Sequence, residues 1–175
     1  MRLSKTLTAL LLCAMTLALP SSAVAAARPS QKPRAKAQVP APHTEITKEK
    51  IEAIVSAVEE SMKKRDVAVI ISLLAPDMKY KLDAGGRPTR HANRAEFIQS
   101  LKLGAELMLD YTYLRKSLTI TVAPDGQSAT AHIESFEMVT LAQGTLAGNS
   151  VGFTTFKIYK GKILISAMEG TVEYV

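Results

Sequence analysis

The chain has 175 residues, of which 47% are hydrophobic, a single cysteine and a formal net charge of +6 at pH 7. Six of its basic residues lie before position 44, and the remaining sixteen balance the sixteen acidic residues. The region after position 43 is therefore neutral overall and lacks the charge excess that is typical of nucleic-acid binding. Since Cys13 has no second cysteine to pair with, this region depends on a hydrophobic core rather than on disulfides.

Residues 1–27 have the pattern of a signal peptide. Arg2 and Lys5 precede an apolar run that is too short to span a bilayer, and small residues follow this run. Cleavage is expected after Ala25 or Ala27, which predicts a periplasmic or secreted protein without a membrane span. Residues 28–43 contain four prolines and no acidic residue. They are expected to form a disordered spacer before a folded domain over residues 44–175.

The first half of this domain has helical periodicity. Residues 47–65 predict a helix capped by Thr47, with one apolar stripe formed by Ile51, Ile54, Val55, Val58 and Met62. Asp66 is expected to cap a second helix that Pro76 ends. Asp77 then begins a turn, or alternatively it is an acid at the mouth of a pocket.

A short strand over residues 78–82 and a glycine-containing loop over 84–92 follow. Asn93 and Glu96 have the spacing of a capping box and start a third helix. From Tyr111 the apolar period becomes two, which predicts strands over 111–122, 128–141, 150–159 and 163–174. The APDG sequence at 123–126, a loop from 142 and a three-residue turn at 160–162 connect them. The predicted fold class is α+β, with three helices packed on a mainly antiparallel sheet.

Several segments resemble the nuclear transport factor 2-like, or SnoaL-like, superfamily. They are RD at 65–66, LLAPDMKYKL at 73–82, DGQSATAHI at 125–133 and KGKILISA at 160–167. The resemblance covers about residues 46–175 and rests on the order and spacing of these segments. It implies a strongly curved, cystatin-like sheet that forms a cone-shaped half-barrel with a pocket between sheet and helices. It also implies frequent homodimers, and members that are enzymes as well as members that only bind.

The late strands supply the candidate catalytic acids. If the loop after residue 141 is long, Glu137, Phe153 and Glu169 form one row across three strands. A carboxylate beside apolar walls can act as a base or a proton donor, and Tyr80, Tyr111 and Tyr113 are available phenols. The candidate catalytic residues are therefore Glu137, Glu169 and Tyr80, and the alternative is a solvated rim or dimer face.

Ligand contacts are predicted for Phe153, Tyr113, Arg94 and His91. Arg94 and His91 lie in a basic segment near the start of the third helix, where backbone N–H groups favour anions, and the alternative is a solvated loop. No metal site is predicted, because the three histidines have no ligand spacing and the mature domain has no cysteine. No cofactor is predicted either.

The sequence leaves three functions open. The first is a non-catalytic exported domain that binds a small hydrophobic ligand or a protein partner, as a homodimer. The second is a small lyase or isomerase that uses acid–base catalysis. The third is an assembly subunit of an envelope complex, with an apolar patch on the outer sheet face formed by Phe136, Met138, Leu164 and Met168.

Overall fold

A computed structural model describes residues 45–175, so the predicted signal peptide and spacer lie outside the described residues. This part of the chain forms three helices and six strands. In chain order they are α1 (Lys48–Lys64), α2 (Val67–Leu73), β1 (Leu74–Ala84), β2 (Arg90–Asn93), α3 (Arg94–Leu107), β3 (Met108–Val122), β4 (Ser128–Leu141), β5 (Gly144–Tyr159) and β6 (Lys162–Tyr174). No helix within these residues is long and apolar enough to cross a membrane.

The helix starts follow the predicted caps. Thr47 accepts a hydrogen bond from the Lys50 amide, and the Asp66 carboxylate accepts one from the Ala68 amide. Asn93 and Glu96 form the complete capping box at the start of α3. These starts were predictable because each cap is a contact between residues two or three positions apart.

The six strands form one mixed sheet in the order β2-β1-β6-β5-β4-β3. The β1–β6 pair is parallel and the other four pairs are antiparallel. The α+β class is confirmed. The expected loop over residues 84–92 is only partly right, because Arg90–Asn93 pairs with β1 as an additional edge strand. Helix α2 ends at Leu73 and β1 begins at Leu74, so Pro76 lies inside the strand rather than at the end of the helix.

The predicted register of β4 and β5 is wrong. Strand β5 begins at Gly144, and the connection from β4 needs only residues 142–143. Phe153 therefore lies opposite His132, whereas Glu137 lies opposite Gly148. The residue of β4 opposite Phe153 is thus His132, five positions before the predicted Glu137. Because successive side chains of a strand point to alternate faces of the sheet, this odd displacement places Phe153 and Glu137 on opposite faces.

The predicted pairing of Phe153 with Glu169 is confirmed, although the turn differs from the prediction. The β5–β6 turn contains two residues, Lys160 and Gly161, which have φ of 50° and 78° as such tight hairpin turns require. A bulge at Ser166 then shifts the register by one residue and restores the predicted pair.

The core lies between the helices and one face of the sheet. Its fully buried side chains include Ile51 on α1, Met78 and Leu82 on β1, and Phe156 on β5. The chain just before α1 is also fixed, because Ile46 is buried and its amide donates to the Gly126 carbonyl in the β3–β4 turn. This core leaves an unfilled space between the second half of α1 and the inner face of the sheet.

Candidate functional site

The helices and the inner face of the sheet line a cavity of about 180 Å³. Its apolar wall includes Ile54, Val55, Val58 and Met62 on α1, Phe97 and Leu101 on α3, and Ile133, Phe156 and Ile165 on the sheet. A cavity of about 150 Å³ in another protein is known to hold benzene. The volume here therefore suits a molecule of about the size of one substituted ring.

Glu137 forms the polar end of this cavity. Its Oε2 accepts a hydrogen bond of 3.0 Å from the Tyr111 hydroxyl, and its Oε1 accepts bonds of 2.9 Å from Ser150 and 3.3 Å from Ser135. The two serine oxygens are also 2.6 Å apart, and because two hydroxyls supply two protons, only two of the three contacts among Ser135, Ser150 and Oε1 are hydrogen bonds at any one time. Three hydroxyl groups from β3, β4 and β5 thus fix one carboxylate in a defined orientation.

Two tyrosines beside this carboxylate stay protonated over a wide pH range. Burial, followed by the negative charge of Glu137, raises the pKa of Tyr111 far above its ordinary value. Burial and then the charge of Glu59 raise the pKa of Tyr113 to about 12. Both phenols are consequently hydrogen-bond donors at neutral pH.

A second charged pair borders the same region. The carboxylate of Glu59 on α1 and the guanidinium of Arg115 on β3 are 3.4 Å apart, and both side chains are largely buried. Neither the Glu59 Oε1 nor the Arg115 Nη1 atom has a hydrogen-bond partner, so the pair interacts through its charges. Glu59 lines the cavity, and Arg115 compensates its charge.

A bulge in β3 determines which residues face this site. The register of β3 against β4 shifts between Arg115 and Ser117. Before the bulge, Tyr111 and Tyr113 face inward and Leu114 is 59% exposed, whereas after it Leu118 packs against the core. Leu114 and Leu118 therefore face opposite sides although four positions separate them, because the inserted residue reverses the alternation that the period of two predicts.

The structure separates the predicted glutamate row. Glu137 faces the inner side of the sheet, whereas the Glu169 carboxylate is 60% exposed and lies 3.9 Å from Lys81. Phe153 is 49% exposed, and its ring stacks on His132 at 4.6 Å between centroids. The register thus places Phe153 and the Glu169 carboxylate on the outer face, away from Glu137.

The other predicted site residues have different positions. Tyr80 lines the cavity, and its ring contacts Phe97 at 4.8 Å. Tyr113 lines the cavity beside Glu137. The Arg94 guanidinium donates instead to the Leu74 and Ile71 carbonyls where α2 ends, and His91 is exposed on the edge strand. Arg94 and His91, predicted as ligand contacts, therefore do not line the cavity.

The outer-face patch predicted for an assembly subunit is also incomplete. Met168 lines the cavity, and Leu164 packs against the core.

Asp77 is exposed on β1 and accepts a 2.6 Å hydrogen bond from the Tyr159 hydroxyl, which lowers the pKa of Asp77. It therefore fixes a contact between β1 and the end of β5 and does not line the cavity. Residues 45–175 contain no group of three or more His, Cys, Asp or Glu side chains arranged to hold a metal ion.

Glu59 and Ser150 are site residues that the sequence interpretation missed. Glu59 lies four positions after Val55, at the margin of the apolar stripe of α1, and this spacing is a signal for a partly buried acid. The sequence interpretation places Ser150 only at the start of a strand. The five-residue error in the β4–β5 register concealed its position beside Ser135.

Comparison with solved structures identifies the fold. A candidate dehydratase of the nuclear transport factor 2-like family from Streptomyces avermitilis superposes with a TM-score of 0.60 and 15% identity, over 73% of this chain and 96% of the other. An NTF2-like protein with a cystatin-like fold from Novosphingobium aromaticivorans gives 0.55 and 20%, over 71% and 80%. Hexachlorocyclohexane dehydrochlorinase from Novosphingobium barchaimii gives 0.57 and 12%, over 71% and 86%.

The described domain therefore has the nuclear transport factor 2-like fold, and the resemblance seen in the sequence is confirmed at this level. The sequence itself matches no protein-family model and no curated protein. Since proteins with this fold have unrelated activities, the function must be argued from the cavity itself.

Proposed function

We propose that this protein binds a small, mostly apolar molecule in the cavity, with the polar group of the ligand directed at Glu137. The observation that carries the proposal is the combination of apolar walls with one carboxylate held by Tyr111, Ser135 and Ser150. Sites for small ligands typically combine apolar walls with a few fixed polar groups. The cavity would be the interior of the cone-shaped half-barrel that the sequence resemblance implies.

Methyl NMR tests this proposal with toluene and benzyl alcohol as probes. Binding should shift the methyl signals of Ile54, Ile133 and Ile165, which line the cavity, and should leave those of Leu109 unchanged. Exposed Leu109 is the internal control. If neither probe shifts the three isoleucine signals, the proposal is wrong.

A cavity-filling variant shows where the probes bind. A Cβ atom at Gly152 would have only the Glu169 carbonyl oxygen within 4 Å, at 3.6 Å, so a side chain there has room to enter the cavity. Gly152→Val should keep the fold and abolish the shifts. Retained binding in a folded Gly152→Val variant would place the probes elsewhere.

A second candidate function is acid–base catalysis by a small lyase or isomerase. The observation that favours it is the 3.0 Å hydrogen bond from the buried Tyr111 phenol to the Glu137 carboxylate in the cavity. Glu137 would take a proton from a substrate carbon, while Tyr111 would stay protonated. Deuterium exchange into phenylacetone in D2O measures this reaction directly. Exchange above the buffer rate that disappears in Glu137→Gln would support catalysis, and exchange at the buffer rate would exclude it for this substrate.

Export completes the proposal. The signal-peptide pattern of residues 1–27 supports cleavage after Ala25 or Ala27 and a periplasmic or secreted location. Intact-mass measurement of the exported fraction should give a chain that starts at residue 26 or 28. A full-length chain confined to the cytoplasm would contradict this.

Homodimer formation also stays a proposal, and sedimentation at several protein concentrations would test it.

A further inference from the structure

The charges around the cavity have one sign. Among the described residues that line it are the acids Glu59, Glu137 and Glu169, the last with its carboxylate on the outer face, and this set contains no lysine, arginine or histidine. Two of these acids have a basic partner outside the lining. Arg115 lies 3.4 Å from Glu59, and Lys81 lies 3.9 Å from Glu169. Glu137 differs because its three hydrogen-bond donors are all neutral hydroxyls.

The polar end of the cavity therefore carries one negative charge, that of Glu137, which forms no ion pair with any side chain of residues 45–175. A ligand carboxylate near Glu137 would meet a like charge in a partly buried site, where repulsion is screened less than in water. An uncharged ligand avoids this repulsion.

Glu137 also retains room for a further donor. An ionised carboxylate offers about four acceptor positions. At least one of Ser135 and Ser150 donates to Oε1, and Tyr111 donates to Oε2, so at most three positions are occupied and Oε2 accepts a single bond. A ligand hydroxyl or N–H group can fill the remaining position, and a ligand with only acceptors cannot.

We infer that the cavity selects uncharged ligands of about one ring that carry a hydroxyl or N–H donor, and that Glu137 is the residue that both accepts this donor and rejects anions. The inference rests on the proposed function, because it names the class of molecule that the same cavity would bind.

Three probes of similar size test this inference on the wild-type protein at pH 7. Benzyl alcohol supplies a donor, toluene supplies none, and benzoate is an anion. Benzyl alcohol should bind about tenfold more tightly than toluene, as expected for a hydrogen bond to a charged acceptor. Benzoate should bind about a hundredfold more weakly than benzyl alcohol, as expected for like charges a few ångströms apart.

The outcomes separate the inference from the proposed function. Absence of binding by all three probes overturns the proposed function together with the inference. Equal binding of benzyl alcohol and toluene, or benzoate binding as tight as benzyl alcohol, overturns only the inference. The comparison needs no variant, so it does not depend on whether an altered protein folds.

Glu137→Gln identifies the residue responsible. This variant keeps the side-chain shape and removes the charge, so benzoate affinity should rise by about tenfold or more while toluene affinity stays within about twofold. Glu134→Gln is the matched control, because Glu134 is exposed on the same strand as Glu137 and does not line the cavity, so the change should leave all three affinities as in wild type. An unchanged preference in folded Glu137→Gln would show that another group selects the ligand.

Discussion

Tyr111 and Glu137 form a diagonal pair across the β3–β4 ladder, with the phenol oxygen 3.0 Å from Oε2. Tyr113, two residues further along β3, is directly opposite Glu137 in the register. The two tyrosines therefore flank one carboxylate on the inner face, although of these two only Tyr111 donates a hydrogen bond to it. This difference gives a matched pair for mutation.

Tyr111→Phe should lower the free energy of unfolding by about 1–3 kcal/mol, because it removes a hydrogen bond to a partly buried charged acceptor. Urea unfolding at pH 7 measures this loss. Tyr113→Phe is the control, because it removes a less buried hydroxyl that contacts Ser135 and Glu59 rather than Glu137, and it should cost less. Equal costs for the two variants would contradict the assignment of the Tyr111–Glu137 bond.

Stability should fall in alkaline solution through the titration of Tyr113. An unfolded tyrosine loses its proton near pH 10, whereas the folded phenol keeps it until about pH 12 because of burial and the nearby Glu59 charge. In this interval the unfolded state binds fewer protons, so the free energy of unfolding decreases as pH rises. Tyr113→Phe should make that decrease shallower between pH 10 and 12, measured by urea unfolding. An identical slope in wild type and variant would contradict the raised pKa.

The Glu59–Arg115 pair should tolerate loss of both charges better than loss of one. Arg115→Met leaves the Glu59 carboxylate largely buried without its partner, and should reduce the free energy of unfolding by about 3 kcal/mol. The double variant Glu59→Met with Arg115→Met removes the uncompensated charge and should recover most of that loss. Thermal unfolding of the two single variants and the double variant measures the coupling. Additive losses would show that the two side chains do not interact.

An added methyl group should destabilise the protein at one glycine of β5, Gly148, but not at another, Gly152. A Cβ atom at Gly148 would lie 2.9 Å from the Glu173 carbonyl oxygen and 3.2 Å from Val172 Cγ1, so Gly148→Ala should destabilise the protein by about 1–3 kcal/mol. At Gly152 the nearest atom is 3.6 Å away, so Gly152→Ala should be neutral or slightly stabilising. Calorimetric melting temperatures compare the two variants. A larger loss at Gly152 would contradict the backbone positions on β5 and β6.

Local contacts made much of the fold predictable from the sequence. Thr47, Asp66 and Asn93 cap their helices through neighbours two or three residues away. The APDG turn forms as predicted, with Gly126 at φ 64° and its amide bonded to the Ala123 carbonyl. Edge strand β2 was missed because four residues after a turn carry little periodicity of their own. Their pairing with β1 is a tertiary contact.

The site was less predictable because it depends on strand register. Glu137 was identified as a pocket acid, but its proposed partners required a long loop after residue 141 where the chain makes a two-residue connection. The pairing of Phe153 with Glu169 was predicted correctly from a turn that was one residue too long. The extra residue in the bulge at Ser166 shifts the register by the same amount, so the two effects cancel. Bulges and loop lengths follow from packing against the whole sheet, so short-range patterns did not determine which side chains meet.

The parallel pairing of β1 with β6 has a consequence for synthesis and folding. Strand β1 lies between β2 and β6 in the sheet, but about eighty residues of chain separate its end from the start of β6. A nascent chain in which the thirteen-residue strand β6 has not yet been synthesised can form the helices and the β3–β4–β5 hairpins, yet β1 then has an unpaired edge. Completion of the sheet must therefore await β6, and its long-range pairing with β1 is expected to be the slow step of folding.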